Sequence, residues 1–219
     1  MEEWGWLAFA AEISCVVLAF WIGKLKKTIR SQEAEMQALR KLSEYDRLSG
    51  LKNRNAFLRC AAQEGRSAVT VLACDIDGLK LVNDTLGHWA GDRLIRRTAA
   101  VLREVCPDEA QAFRIGGDEF LLLLPQSVPA EQEQLLLQGV LEGVQRHNAL
   151  YGEIPLHLSV GVASQVAGGG SLEEAVRRAD YYMYEQKRDG HEKVLRWLKG
   201  ELERTGEQKR CGIRQGYKE

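Results

Sequence analysis

Two adjacent carboxylates, Asp118 and Glu119, stand at the head of the apolar string Leu121 to Leu124, and two glycines, Gly116 and Gly117, come just before them. A string that apolar reads as a buried strand, so the acids sit at its mouth. There they repel each other unless a counter-charge answers them, most simply a metal ion. Glycines at such a turn can take positive φ and let a backbone or a ligand approach closely. The remainder of the chain is constrained to supply what an acidic strand end needs, which is a metal, a phosphate and a base.

The chain of 219 residues is long enough for one globular domain of ordinary size with an appendage, and 45% hydrophobic residues with 4 prolines suffice for a core. A formal net charge of -1 gives no global attraction to nucleic acid, so none is expected as a partner and anion binding has to be local. The five cysteines (Cys15, Cys60, Cys74, Cys106, Cys211) show neither CxxC nor Cys/His spacing, which reads as reduced and structural.

Residues 4–23 differ from the rest, with Glu12 the one charged side chain among about 20 residues, a bilayer's thickness. Lys24, Lys26, Lys27 and Arg30 follow while Glu2 and Glu3 precede, an asymmetry that predicts a single-pass anchor with the globular part in the cytoplasm, at the inner membrane. Leu25, Ile29, Met36 and Leu39 then recur with four- and three-residue spacing if Gln32 fills the remaining position. That short heptad-like stripe fits either a two-stranded stalk or a solvated connector. The resulting division is 1–23 anchor, 24–45 helical stalk, 46–196 globular domain and 197–219 frayed tail.

Within the globular part, residues 53–64 and 91–105 read as helices, and residues 68–75 (AVTVLACD) as a strand ending on an acid. Residues 110–115 and 119–124 form a hairpin, 129–147 a helix, and 156–163 (LHLSVGVA) another strand. Ser171 to Glu174 is a capping signal for a helix to Arg188, and residues 191–195 suggest an edge strand. Helices interleaved with a mainly antiparallel central sheet give an α+β sandwich.

Two acidic clusters therefore stand at strand ends, Asp75 with Asp77 and Asp118 with Glu119. Their carboxylates converge if those strands are neighbours, and oxygen ligands without His or Cys select Mg²⁺ or Mn²⁺ over zinc. Asp77 taken alone reads more readily as a turn former. Lys80 follows the first cluster, and Lys187 near the end of the last helix is a second cation for phosphate. Asn83, Asp84, His88 and Asp92 cluster around Gly87 and Gly91; an Asn amide with a carboxylate can pair with the edge of guanine, and the same residue types also cap helices.

These positions together resemble the GGDEF family, the diguanylate cyclases. The resemblance runs over residues 46–195: Asp46-Arg-Leu-Ser-Gly-Leu-Lys-Asn-Arg54, Asp75-Ile-Asp-Gly-Leu-Lys80, the Asn83 to Asp92 segment, Arg114 to Phe120, Leu158-Ser-Val-Gly161 and Ala179 to Lys187. It implies a palm-like nucleotide-cyclase fold and the conversion of two GTP into cyclic di-GMP and pyrophosphate by a homodimer, one GTP per domain. By the same resemblance Asp75, Asp118 and the Ile76 carbonyl hold two Mg²⁺, and Asp118 or Glu119 takes the proton of the 3′-hydroxyl. Lys80 and Lys187 hold the triphosphate, with the N–H groups of Gly78 and Leu79 capping it, while Asn83 and Asp92 read guanine and His88 lies near the ribose. The Arg-x-x-Asp pair by which many members bind product is matched here by Pro107 and Ala110, so feedback by that route is not expected. A rival reading of the same residues is a GTP-binding or dimerisation module without turnover.

Overall fold

The computed structural model describes residues 18–33, 36, 44–64 and 68–215. Contacts divide the chain into two units, Met1–Glu44 and Tyr45–Glu219.

In the first unit residues 18–33 are helical (α1), with Leu18, Phe20, Trp21, Ile22, Leu25 and Ile29 exposed, as is Met36 beyond it. The single-pass anchor at the inner membrane is corrected here. Among the described residues no helix is long and apolar enough to cross a membrane. Within the described residues, Leu18 to Gly23 are the apolar stretch before Lys24, Lys26, Lys27 and Arg30, against the roughly 20 apolar residues a bilayer requires. Residues 4–17 of the expected anchor, and Leu39 of the stripe, lie outside the described residues.

The second unit is built on strand β2 (Val69–Ile76), whose eight residues are all buried. A strand buried on both faces needs neighbours on both edges and helices on both sides. It finds β4 (Glu119–Leu124) and β5 (Leu158–Gln165) as antiparallel neighbours, with β3 (Gln111–Arg114) outside β4 and the short β1 (Lys52–Asn53) outside β3. The order is β1-β3-β4-β2-β5, antiparallel throughout except for the parallel β1–β3 pair, a mixed sheet of mainly antiparallel character.

Strand alternation sorts the core into two layers. Leu72, Cys74 and Ile76 of β2 join Phe120 and Leu122 of β4 on one face, where α4 (His88–Val105) and α5 (Ala130–Leu150) contribute Leu94, Leu102, Val140 and Val144. Val69, Val71 and Ala73 join Leu121 and Leu123 on the other, against Ala56 of α2 (Arg54–Glu64) and Leu172, Ala175, Ala179 and Met183 of α6 (Leu172–Gln215). Each fully buried leucine contributes about 1.5–3 kcal/mol of transfer free energy, so these two stripes set the register.

Several elements differ from the sequence reading. Helix α3 (Leu79–Leu86) occupies the stretch read as polar turn residues, and α4 starts at His88 instead of Gly91. The hinge between them is Gly87, at φ 88. Residues 191–195, read as an edge strand, continue α6, whose backbone runs helical to Gln215. Val194 and Leu198 are buried on the α4 side of the core, and helical spacing of four is what brings both there.

Candidate active site

Asp75 is a carboxylate inside the fully buried strand β2, with 1% of its surface accessible. Ladder pairing sets it opposite Glu119 on β4 and opposite Ser159 on β5. The two acidic clusters are therefore brought to one end of adjacent strands, as their positions at the ends of apolar runs predict. Beyond the ladder the Ile76 amide donates to the Asp118 carbonyl at 3.1 Å, so the acidic turn is stitched to β2.

The turn itself closes around the Glu119 carbonyl, which accepts from the amides of Ile115 and Gly116 at 3.0 and 3.4 Å. Neither Gly116 nor Gly117 takes positive φ, so of the two uses open to glycine at this turn only close approach is realised. Their use is space. A Cβ on Gly116 would lie 2.4 Å from Glu119 Oε2, and one on Gly117 would meet nothing within 4 Å. The first glycine admits the Glu119 side chain; the second leaves open room over the turn.

A buried carboxylate needs a partner, and Lys187 of α6 provides one, its Nζ donating to Asp75 Oδ2 at 2.9 Å. The second oxygen, Oδ1, is buried without any hydrogen-bond partner. Burial first, and then the nearby Asp118 charge, raise the Asp75 pKa to about 6, although the Lys187 bond acts in the opposite direction. An orphaned lone pair of this kind, beside a second carboxylate on the neighbouring strand, fits a hard divalent cation. Among the described residues no three His, Cys, Asp or Glu side chains gather as a metal cluster, so backbone, substrate or water oxygens would complete such a shell.

Asp77 is held by a different route. Its Oδ1 accepts from Ser159 Oγ at 2.7 Å and its amide donates to the His157 carbonyl at 3.1 Å. Burial raises its pKa, with the Ser159 bond opposing. Gly190 of α6 lies so close that a Cβ there would fall 1.9 Å from Asp77 Oδ2. Next along the chain Gly78 takes φ 65 to begin α3, the left-handed conformation that glycine adopts without penalty. An open cleft of about 800 Å³ is lined by Asp77, Gly78, Lys187 and His191 together with Tyr181, Tyr184 and Glu185.

The remaining predicted positions fall into two groups. Leu79 is buried and Lys80 exposed on the first turn of α3. Asn83 sits on α3 with its Oδ1 buried, without a hydrogen-bond partner, and so close to Gly91 that a Cβ there would be 2.1 Å away. Asp92 follows on α4, 3.6 Å from Arg96, and exposed His88 opens the same helix. The α3–α4 corner thus brings Asn83 beside the Gly91-Asp92 segment, and neither residue caps its helix.

Sequence reasoning missed the clamp behind the turn. Arg114 Nη1 donates to Asp46 Oδ1 at 2.9 Å while its Nη2 donates to the Gly117 carbonyl at 2.8 Å. Asp46 also accepts from the Ser49 amide and hydroxyl, both at 2.7 Å. Burial raises the Asp46 pKa, but those bonds outweigh it and hold the carboxyl below its usual range. The Asp46-x-x-Ser49 pattern is a turn signal; nothing local in it points to an arginine 68 residues away.

A family model described as the diguanylate cyclase GGDEF domain matches residues 43–193. The chain belongs to the GGDEF family. Diguanylate cyclase VdcA of Vibrio cholerae is 35% identical over 163 residues, covering 69% of this chain and 46% of VdcA. An uncharacterized protein of Mycobacterium tuberculosis is 34% identical over 178 residues, covering 79% of this chain and 29% of that protein. The chain therefore spans less than half the length of either relative. The solved diguanylate cyclase SiaD of Pseudomonas aeruginosa, in complex with its activator SiaC, matches with a TM-score of 0.59 at 28% identity, covering 85% of this chain and 78% of that one.

Proposed function

We propose that this chain is a diguanylate cyclase, condensing two GTP into cyclic di-GMP with Mg²⁺ or Mn²⁺ as cofactor. The observation that carries the reading is Asp75, a buried carboxylate with one oxygen unpartnered, whose ladder partner Glu119 directly follows Asp118 at the head of the adjacent strand. In the balanced reaction each 3′-hydroxyl attacks the α-phosphorus of the other GTP, loses its proton, and displaces one pyrophosphate. Two divalent ions held by Asp75, Asp118 and the Ile76 carbonyl would supply charge neutralisation of the phosphates and activation of the hydroxyl.

The chain's own residues do the rest. Asp118 or Glu119 accepts the hydroxyl proton, and the exposure of Glu119 leaves its carboxylate within reach of a substrate over the open space at Gly117. Lys80 and Lys187 hold the triphosphate, with the Gly78 and Leu79 amides at the start of α3 capping it; the cleft that Gly78 and Lys187 share supports this placement. Asn83 and Asp92 read the guanine edge from the α3–α4 corner, and His88 lies toward the ribose.

One domain carries one GTP, so the active species is a homodimer in which two acidic turns face each other. Residues 46–196 form the catalytic domain, to whose core Leu198 further along α6 still belongs, and the stretch 24–45 brings two copies together. With Pro107 and Ala110 in place of an Arg-x-x-Asp pair, product does not inhibit at that position. Substituting Asp118→Ala in the full chain tests the assignment: turnover of GTP falls at least 100-fold while GTP binding persists. Wild-type turnover in that variant would mean that the metal and base are elsewhere.

A further inference from the structure

The opposite end of β5 carries a second cluster of chemistry that nucleotidyl transfer leaves unused. An open cavity of about 400 Å³ lies between the end of β5 and the first turns of α6, lined by Gln165, Glu174, Arg177, Arg178, Tyr181 and Tyr182. The five helical residues recur at three- and four-residue spacing and so share one face of α6. That face adjoins the buried stripe of Leu172, Ala175, Ala179 and Met183, yet it presents two guanidinium groups and two phenol rings.

Each group is available in a specific way. Tyr181 and Tyr182 are 60% and 49% exposed, with their rings edge to face at 5.8 Å. Arg178 is anchored by donation from Nη2 to the Ser164 carbonyl at 2.6 Å. Arg177 forms a loose ion pair with Glu174 Oε1 at 3.9 Å, beyond hydrogen-bond distance, while Glu174 Oε2 accepts from the Ser171 amide at 3.0 Å. Gln165 is 6% exposed, and its Nε2 is a buried donor with no acceptor.

Position separates this cluster from Asp75. Gln165 pairs with Val69 whereas Ser159 pairs with Asp75, a separation of six residues along β5, or about 20 Å. Along α6, Tyr181 precedes Lys187 by six residues, or about 9 Å, so one helix carries both the cavity wall and the partner of Asp75.

We infer that this cavity is a second nucleotide site, taking a phosphorylated purine. Arg177 and Arg178 supply planar cations for phosphate, the tyrosine rings stack on the base, and the Gln165 amide donates to a base or phosphate oxygen. A simple anion would use the arginines and leave the aromatic walls without a role. Because α6 links the cavity to Lys187, occupancy would bias the catalytic end of the helix.

Calorimetric titration of the full chain carrying Asp118→Asn, which stops turnover, tests this with GTP and, separately, inorganic phosphate. Two GTP are expected per chain, falling to one in Arg177→Ala and in Tyr182→Ala, while Asn83→Ala instead weakens the other site. Both substituted side chains are exposed, and an unchanged thermal transition confirms folding. Inorganic phosphate is expected to bind at least 100-fold more weakly than GTP. A GTP stoichiometry unchanged by Arg177→Ala and Tyr182→Ala would overturn the site, and phosphate binding as tight as GTP would overturn its assignment to a nucleotide. Failure of the catalytic reading looks different: a single GTP, lost with Arg177→Ala and kept with Asn83→Ala.

Discussion

Asp75 is where function and stability oppose each other. Its pKa, raised by burial to about 6 against 3.8 for a free aspartate, means the folded chain holds this proton more tightly than the unfolded one. Without metal, stability therefore falls as pH rises from about 4 through about 6, and above that the charge remains a net cost despite the Lys187 bond. Asp75→Asn removes the cost and should raise the metal-free thermal midpoint at pH 8, an advantage that shrinks as pH falls through 6. Calorimetric scans at pH 8 and pH 5 check this, and a midpoint lowered at pH 8 would contradict it. The acids themselves were legible in the sequence, because carboxylates at the ends of apolar runs are costly without a ligand. Their supports were not: Lys187 meets Asp75 across 112 residues, and Arg114 meets Asp46 across 68. Arg114→Ala should loosen the turn from Asp46 and the Gly117 carbonyl, lowering kcat with little change in metal-free stability beyond about 1–3 kcal/mol. Steady-state kinetics beside a denaturant titration separate the two effects.

At the scale of elements, α6 depends on a glycine in the strand beneath it. A Cβ on Gly161 of β5 would fall 2.0 Å from the Ala179 carbonyl oxygen and 2.4 Å from the Met183 amide nitrogen, backbone that cannot rotate away. Gly161→Ala is expected to destabilise the domain by about 3 kcal/mol, read as a denaturation midpoint lowered without a change in slope. An effect below about 0.5 kcal/mol would mean the helix does not lie on the strand as described. The strands were the legible part of this layer: β2, β4 and β5 are short, apolar and bounded by acids or glycines, a local pattern. The capping box also holds, with Ser171 Oγ accepting from the Glu174 amide at 3.3 Å and Glu174 reaching back to the Ser171 amide. What eluded a local reading were α3, whose polar face exposes Lys80 and Asp84, and the helical path of residues 191–195. In that second stretch β-branched Val194 reads as strand, while burial of Val194 and Leu198 one turn apart favours helix.

For the whole molecule, the sheet delivers the acidic clusters to one end and leaves the opposite end of β5 to the arginine and tyrosine face of α6. The amino-terminal unit is where the sequence misled: a stretch apolar enough to suggest a bilayer gives, among the described residues, no helix fit to cross one. Exposed Leu25, Ile29 and Met36 remain available for pairing between copies. If two acidic turns must meet, specific activity rises with protein concentration before it saturates, and gel filtration places the half-maximum at the dimerisation midpoint. The most direct measurement is the product itself. The full chain is incubated with GTP and Mg²⁺, and the nucleotides are separated. Cyclic di-GMP should accumulate with two pyrophosphates per molecule, and Asp118→Ala should make none; GTP that binds and is recovered unchanged would contradict the cyclase assignment.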